Sequence, residues 1–217
     1  MKLKGIIFDL DGVICFTDQY HYRAWKQMAD QIAVYFDEKI NNRLRGVSRM
    51  ASLDIILERS TKQYSAAEKK NLAEQKNDIY RELLLQMSPK DLSAEVKSTL
   101  EELRNRGVRL AIGSSSKNTK TILKQIGLEN YFDAVSDGTN ITHSKPHPEV
   151  FLMAADMLHL QPSECLVVED ALAGIDAAVA GGFSSAGIGE AATHDQVTFK
   201  LQKITDILNI QGGKYEY

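Results

Sequence analysis

The stretch KGIIFDLDG, residues 4–12, decides the fold that the sequence predicts. Its first half, residues 4–8, is a short apolar run of the kind that forms a strand buried on both faces of a parallel sheet. Two acidic residues, Asp9 and Asp11, follow this run directly. A buried strand that ends in carboxylates indicates a ligand site, because open α/β sheets bind ligands at the carboxyl ends of their strands.

The carboxyl-terminal part of the chain repeats this alternation of apolar and helical segments. Apolar runs lie at 108–112, 131–135, 166–168 and 184–188, and helical patterns lie near 94–106, 117–126, from about 148, and at 171–180. Gly107 and Gly127 stand where C-terminal helix caps are expected. Strands that alternate with helices predict an α/β fold with a parallel, Rossmann-like sheet that helices cover on both faces.

Residues 17–88 have a different character and predict an inserted helical domain. The side chains of His21, Trp25, Met28 and Ile32 fall on one face of a helix. Further helical patterns lie near 51–59 and 66–87, and Pro89 discourages continuation of the second. We therefore expect an α/β core domain formed by residues 1–16 and 89–217, with a helical domain at 17–88 between its two parts.

The composition excludes several classes of protein. The chain has 217 residues, is 43% hydrophobic and 25% charged, and carries a formal net charge of −3, which is ordinary for a globular protein. This balance gives no reason to expect nucleic acid or a membrane surface as partner. No segment approaches the roughly 20 apolar residues of a membrane span, and signal-peptide features are missing, so we expect a cytoplasmic protein. Cys15 and Cys165 are expected to be free thiols, and we expect a monomer.

Polar side chains follow the apolar runs where the strands should end. They are Asp9 and Asp11, Ser114 to Ser116, and Glu169 with Asp170. Because the carboxyl ends of parallel strands share one edge, we expect these groups to converge there together with Lys145. Four clustered carboxylates repel one another unless a cation lies among them, and hard oxygen ligands favour Mg²⁺. The sequence therefore predicts a magnesium site at this edge.

This set of groups is suited to the transfer of a phosphoryl group. A carboxylate can attack phosphorus and form an aspartyl phosphate, and a second carboxylate can serve as general acid and base. Serine hydroxyls and backbone N–H groups ahead of a helix bind phosphate oxygens. The ammonium group of Lys145 would neutralise charge as the phosphoryl group moves.

Each motif has a structural explanation when it is taken alone. Asp-x-Asp-Gly is often a turn, the serine run can cap a helix, and Glu169-Asp170 can complement a helix dipole. His143 and His147 are four residues apart, but Pro146 between them argues against a helical metal pair and favours a solvated loop. The position of His21 leaves open whether it faces a cleft or caps its helix. The order and the shared strand-end placement of the motifs favour the functional interpretation.

These residues resemble a known family. In order, Asp9-Leu10-Asp11-Gly12-Val13, Ser114, Lys145-Pro146 and Glu169-Asp170 match the four motifs of the haloacid dehalogenase superfamily. The inserted helical domain resembles the mobile cap of that superfamily. Within it, the chain is most similar to the sugar phosphomutases, through the segments His21–Trp25, Gly46–Arg49, Lys76–Asp78 and Ser114–Asn118.

The resemblance implies a Mg²⁺-dependent enzyme that interconverts β-D-glucose 1-phosphate and D-glucose 6-phosphate. The reaction would pass through a phosphorylated Asp9 and β-D-glucose 1,6-bisphosphate, which is also the activator. The implied catalytic residues are Asp9 as nucleophile, Asp11 as general acid and base, Ser114 and Lys145 on the transferring phosphoryl group, His21 and Lys76 coupling cap closure to proton transfer, and Thr17 in the hinge. The implied metal ligands are Asp9, the backbone carbonyl of Asp11, and Asp170, with Glu169 nearby. The implied substrate contacts are Trp25, Gly46, Val47, Ser48, Arg49, Ser115, Ser116, Lys117 and Asn118.

The sequence also departs from the family pattern in three places. Phe16 replaces an acidic residue before the hinge threonine, Ser93-Ala94-Glu95 replaces Tyr-Pro-Gly, and Ala171 replaces a serine after Glu169-Asp170. These departures concern the hinge and the outer hydrogen bonds of the site. Two other functions stay open at this point: a sugar-phosphate phosphatase with a looser cap, and a non-catalytic binding protein on the same fold.

Overall fold

A computed structural model of the chain describes residues 3–44 and 48–210. The chain divides into two compact units, Thr17–Met87 and the combination of Met1–Phe16 with Ser88–Tyr217. We refer to them as the helical unit and the α/β unit, and each is described by itself. Within the described ranges, no helix is long and apolar enough to cross a membrane.

The described residues of the helical unit form four α-helices. They are α1 (Asp18–Gln31), α2 (Glu38–Asn42), α3 (Arg49–Leu57) and α4 (Ala66–Leu84). The helix face predicted for α1 is confirmed, since Trp25 and Met28 are buried in the apolar core of the unit. Helix α3 begins earlier than predicted because the Ser48 hydroxyl accepts a hydrogen bond from the Ala51 N–H and so caps the helix. The short helix α2 was not predicted.

The α/β unit is built on a parallel sheet, as predicted, and this sheet has six strands. Its strands are β1 (Gly5–Phe8), β2 (Arg109–Gly113), β3 (Ala134–Ser136), β4 (Cys165–Glu169), β5 (Ser184–Gly187) and β6 (Phe199–Lys200), in the spatial order β3-β2-β1-β4-β5-β6. The edge strand β6 has only two residues, so it leaves no periodic pattern in the sequence. The first strand lies in the middle, between β2 and β4.

The strand order places a topological switch point beside β1. The chain moves outward from β1 to β2 and β3, and then returns to the other side of β1 with β4. Phe8 is level with both Ile112 and Val168, and the Asp9 N–H donates to the Val168 carbonyl at 2.9 Å. Ligands bind at such points, outside the carboxyl ends of the strands. The fold therefore brings the residues after β1, β2 and β4 to one edge.

Four α-helices lie in the part of the α/β unit that the structure describes. They are α5 (Ala94–Asn105), α6 (Thr119–Gln125), α7 (Glu149–Met157) and α8 (Leu172–Ala180). On one face of the sheet, Phe151 of α7 packs in a buried apolar cluster with Ile7 of β1 and Val167 of β4. The unusual Ser93-Ala94-Glu95 segment starts α5, where the Ser93 hydroxyl accepts a hydrogen bond from the Val96 N–H at 3.1 Å. At this departure from the family pattern, the chain therefore has a capped helix start.

Candidate active site

A buried ion-pair network lies at the carboxyl ends of β1 and β4. The Nζ atom of Lys145, from the loop before α7, donates to Asp9 Oδ1 and to Glu169 Oε1. The side chain of Lys145 is 10% exposed and that of Glu169 is 1% exposed, so the network is nearly closed to solvent. The structure thus brings together residues that are 136 positions apart, as the strand-end argument predicted.

The carboxylate of Glu169 is used mainly for hydrogen bonds within the protein. Its Oε2 atom accepts hydrogen bonds from the Asp170 and Ala171 N–H groups, both at 2.9 Å, while Oε1 accepts from Lys145. A carboxylate offers about four lone-pair directions, so at most one remains on Oε1. A Cβ added at Gly174 would lie 1.9 Å from Glu169 Cδ, so only glycine leaves room for this side chain.

Asp170 packs against the turn that carries Asp11. Gly12 in that turn has a φ of +89°, a conformation that favours glycine, and a Cβ there would lie 2.1 Å from Asp170 Oδ2. The negative charges of Glu169 and Asp11 both act on the Asp170 carboxyl group. The carboxyl groups of Asp9, Asp11 and Asp170 therefore lie close together, and that of Glu169 is next to them.

The crowding of these carboxylates shifts their pKa values. Burial, reinforced by the charges of Glu169 and Asp170, raises the pKa of Asp9 to about 8, although Lys145 opposes the shift. Burial and the charge of Glu169 likewise raise the pKa of Asp170 to about 7. Burial alone would lower the pKa of Lys145, but Asp9 and Glu169 outweigh it and raise that pKa. The cluster needs further positive charge to hold its carboxylates ionised.

A hard divalent cation fits this donor set. Mg²⁺ takes one or two carboxylates and keeps its other positions for water or phosphate oxygens. Asp9 and Asp170 are the carboxylates suited to this role, because Glu169 is already occupied by Lys145 and two N–H groups. Such an ion would favour the ionised forms of both aspartates, whose pKa values burial raises.

The serine loop after β2 lies beside the Lys145 loop. The buried Ser114 hydroxyl accepts a hydrogen bond from the Ser116 N–H at 3.2 Å, and the Ser115 hydroxyl accepts one from the Lys145 N–H at 3.4 Å. The Ser116 hydroxyl in turn accepts from the Asn118 N–H at 3.1 Å, while the Lys117 side chain is exposed. The Ser115 hydroxyl therefore links this loop to the loop that carries Lys145.

The helical unit contains a second cluster of basic groups. Lys76 of α4 is 3% exposed, and its Nζ atom lies 2.8 Å from His21 Nδ1. The same ammonium group lies over the rings of Trp25 and Tyr80, at 4.8 and 4.7 Å from their centroids. His21 is stacked on Tyr80 with a centroid separation of 4.0 Å. These contacts place the His21 ring between α1 and α4, against Lys76 and Tyr80.

Arg49 adds positive charge to this second cluster. Burial, and then the charge of Arg49, lowers the pKa of Lys76 to about 7. The pKa of His21 lies well below its ordinary value because the ring is buried and because Lys76 and Arg49 are close to it. We call Arg49, Lys76 and His21 the basic cluster of the helical unit. An anionic ligand at this cluster would relieve the repulsion between its charges.

The remaining predicted site residues are placed as follows. Thr17 is buried and precedes α1, and the exposed Ser48 caps α3. Trp25 is 4% exposed and lies in the apolar core of the unit. Gly46 and Val47 lie outside the described residues. Tyr80 was not predicted as a site residue. Its position four residues after Lys76 places both side chains on one face of α4, and this spacing could have indicated their contact.

The buried charge of Lys76 leads to a stability prediction. Because its pKa falls from 10.5 to about 7 on folding, the native state binds fewer protons than the unfolded state between these values. This side chain therefore contributes a rise in stability with pH across that window. Lys76→Met should stabilise the protein at pH 7 by roughly 1–3 kcal/mol and remove this slope.

Urea unfolding at pH 7 and near the top of the window measures both effects. The exposed Lys70 of the same helix provides the control, since Lys70→Met should leave the free energy of unfolding and its slope nearly unchanged. A loss of stability in Lys76→Met at pH 7 would show that the ammonium group is stabilising, against this prediction.

The chain is similar to known proteins over most of its length. A family model described as haloacid dehalogenase-like hydrolase matches residues 3–182. The chain is 40% identical over 190 residues to a beta-phosphoglucomutase of Bacillus subtilis, covering 87% of this chain and 84% of the relative. It is also 32% identical to fructose-1-phosphate phosphatase YqaB of Escherichia coli, covering 86% and 97%. The crystal structure of a beta-phosphoglucomutase from Clostridium difficile superposes with a TM-score of 0.83 at 36% identity, covering 98% and 97%.

Proposed function

This chain belongs to the haloacid dehalogenase-like hydrolase family, and within that family we propose that it is a β-phosphoglucomutase. It would interconvert β-D-glucose 1-phosphate and D-glucose 6-phosphate through an aspartyl phosphate and β-D-glucose 1,6-bisphosphate. The observation that carries this proposal is the presence of two sets of cationic groups. Lys145 lies at the strand ends, and the basic cluster lies in the helical unit. A substrate with two phosphates needs both sets of cationic groups, one for each phosphate.

In the proposed first step, a carboxylate oxygen of Asp9 attacks the phosphorus of the bisphosphate. The bond from this oxygen to phosphorus forms, the bond from phosphorus to the sugar oxygen breaks, and Asp11 gives its proton to the leaving oxygen. Lys145 and Ser114 would hold the phosphoryl oxygens. The second half-reaction reverses these steps at the other end of the sugar, with Asp11 taking the proton from the attacking hydroxyl.

Mg²⁺, held by Asp9, Asp170 and the backbone carbonyl of Asp11, would neutralise charge on the transferring phosphoryl group. Lys145 contributes to the same purpose, because its pKa is raised and its ammonium group stays charged. Glu169 keeps Lys145 in place through its own hydrogen bond. Ala171 provides only its N–H to Glu169, where the family often has a serine hydroxyl as well.

Control of water separates a mutase from a phosphatase. An aspartyl phosphate that waits for a sugar hydroxyl must be protected from hydrolysis, so solvent has to be excluded when substrate binds. Binding energy from a phosphate that does not react can be used for this purpose. We assign that distant phosphate to Arg49, with Ser116, Lys117 and Asn118 completing the site. His21 and Lys76 would couple its arrival to proton transfer at Asp11, with Thr17 in the hinge and Ser48 beside the sugar.

The second candidate function is a sugar-phosphate phosphatase. The similarity to fructose-1-phosphate phosphatase YqaB favours it, since that relative matches nearly as large a share of the chain as the mutase of Bacillus subtilis does. The two activities share the Asp9 chemistry and differ in what attacks the aspartyl phosphate, a sugar hydroxyl or water. The core residues alone do not separate them, so the distinction depends on the helical unit.

A phosphorus NMR assay tests the proposal. β-D-glucose 1-phosphate, Mg²⁺ and a trace of the 1,6-bisphosphate are supplied, and the signals of product and inorganic phosphate are followed. We expect glucose 6-phosphate to accumulate with little inorganic phosphate, and the reaction to stop when Mg²⁺ is chelated. Release of inorganic phosphate as the main product would favour the phosphatase. No turnover of any of several anomeric sugar phosphates would favour a binding protein.

Two further features are part of the proposal. We place the enzyme in the cytoplasm, since Cys15 and Cys165 are free, buried thiols of the kind that persist in a reducing compartment. We also propose that it acts as a monomer on a small sugar phosphate, without nucleic acid or membrane as partner. The net charge of −3 gives no attraction to either of those polyanionic surfaces.

A further inference from the structure

We propose that His143, His147 and Glu149 form a site for a divalent transition-metal ion such as Zn²⁺, distinct from the carboxylates that would hold Mg²⁺. The two histidines lie in the loop that leads into α7, and Glu149 is the first residue of that helix. One potential ligand atom of each side chain lies within 4.8 Å of those of the other two. The inference does not depend on the proposed mutase activity.

The side chains already converge on one oxygen. Oε2 of Glu149 lies 2.8 Å from His143 Nδ1 and 3.9 Å from His147 Nδ1, and the two imidazole rings have centroids 4.6 Å apart. In a tetrahedral site with bonds of about 2.0–2.2 Å, ligand atoms are roughly 3.4 Å apart. The observed separations lie on either side of this value, so small side-chain rotations bring the three atoms to ligand distance.

The loop backbone holds the carboxylate in place before any ion binds. Glu149 accepts hydrogen bonds from the Thr142 and His143 N–H groups at 2.7 and 2.8 Å. At His147, a hydrogen bond would compete with a metal ion for the Nδ1 atom. This bond is weak, since the Glu149 N–H donates to Nδ1 at 3.3 Å. Pro146 argues against a pair of histidines along a helix. It is consistent with this site, because His143 and His147 lie close together in a loop.

The chemistry of the donors selects the class of ion. Two imidazoles and one carboxylate suit Zn²⁺, Co²⁺ or Ni²⁺, whereas Mg²⁺ prefers oxygen ligands alone. The histidine side chains are 62% and 52% exposed, so an ion can reach them and a water molecule can complete the coordination. An ion here would tie residue 143 to residue 149 on either side of Lys145. Occupancy would therefore restrain the loop that delivers Lys145 to Asp9.

Cobalt binding tests the inference with a signal that does not depend on activity. Co²⁺ is titrated into the full chain in excess Mg²⁺, and its visible absorption bands report nitrogen ligands in a tetrahedral site. We expect one Co²⁺ per chain, with Zn²⁺ displacing it. His143→Ala and His147→Ala should each weaken Co²⁺ binding by at least about tenfold. Amide hydrogen exchange in residues 138–148 should slow on binding of Zn²⁺.

A matched control comes from a histidine outside the cluster. His159 has a φ of 56°, which asparagine tolerates, so His159→Asn removes a histidine without straining the backbone. This variant should bind Co²⁺ within about twofold of the unchanged protein. If His143 and Glu149 form only a surface ion pair, no tetrahedral Co²⁺ spectrum appears. That result, or Co²⁺ binding that survives both alanine substitutions, would overturn the proposal.

Discussion

Asp9→Asn should reduce turnover of β-D-glucose 1-phosphate by at least about 10⁴-fold, the scale of loss seen when a catalytic nucleophile is removed. Asparagine has the size of aspartate, and its amide oxygen can still accept the hydrogen bond from Lys145. It lacks the nucleophilic carboxylate that would form the acyl phosphate. The substitution therefore removes the chemistry and leaves the surrounding network, because Lys145 keeps its bond to Glu169.

Steady-state kinetics and thermal unfolding together check this expectation. The unfolding midpoint of the metal-free variant at pH 8 should not fall below that of the unchanged protein, because burial already disfavours the charged form of Asp9. A folded variant that kept about a tenth or more of the activity would rule Asp9 out as the nucleophile.

Arg49→Ala should separate the proposed binding of the distant phosphate from the chemistry at Asp9. We expect kcat/KM for β-D-glucose 1-phosphate, measured with the bisphosphate activator, to fall by about 100-fold or more, the size of effect expected when a charged contact to phosphate is lost. Hydrolysis of p-nitrophenyl phosphate should change by no more than about threefold, because that small substrate has no second phosphate for Arg49 to hold. Arg49→Lys should lie in between, since lysine keeps the charge and loses the bidentate geometry.

An exposed arginine of the same unit supplies the control. Arg81 is paired with Asp78 at the surface, and its side chain is 59% exposed. Arg81→Ala should leave both activities close to those of the unchanged protein. Equal losses on both substrates in Arg49→Ala would argue against a role at the distant phosphate and in favour of a general effect on the fold.

Much of the α/β unit could be predicted from sequence because two strong physical signals agree. The apolar runs before Asp9, Ser114 and Asp170 are buried strands, and the rule for parallel sheets sends their carboxyl ends to one edge. Once the strands are identified, the convergence of these side chains follows from topology. The ion pair between Asp9 and Lys145 agrees with that reasoning.

Other features depend on tertiary contacts that local patterns do not encode. The bond between His21 and Lys76 joins residues 55 positions apart on two helices, and their periodicity indicates only which faces are buried. The close fit of Gly174 to Glu169 is likewise set by the packing of α8 on β4. Strand β6 is defined only by its pairing with β5, in which Phe199 lies opposite Ala186.

The central claim, that Asp9 carries the phosphoryl group, is tested most directly by trapping. The enzyme is mixed with β-D-glucose 1,6-bisphosphate and Mg²⁺, quenched in acid within the first turnover, and analysed by mass spectrometry of the intact chain and its peptides. We predict one phosphoryl group per chain, on the peptide that contains Asp9, and none in Asp9→Asn. Full turnover without phosphate on that peptide, or with phosphate on another residue, would contradict the account.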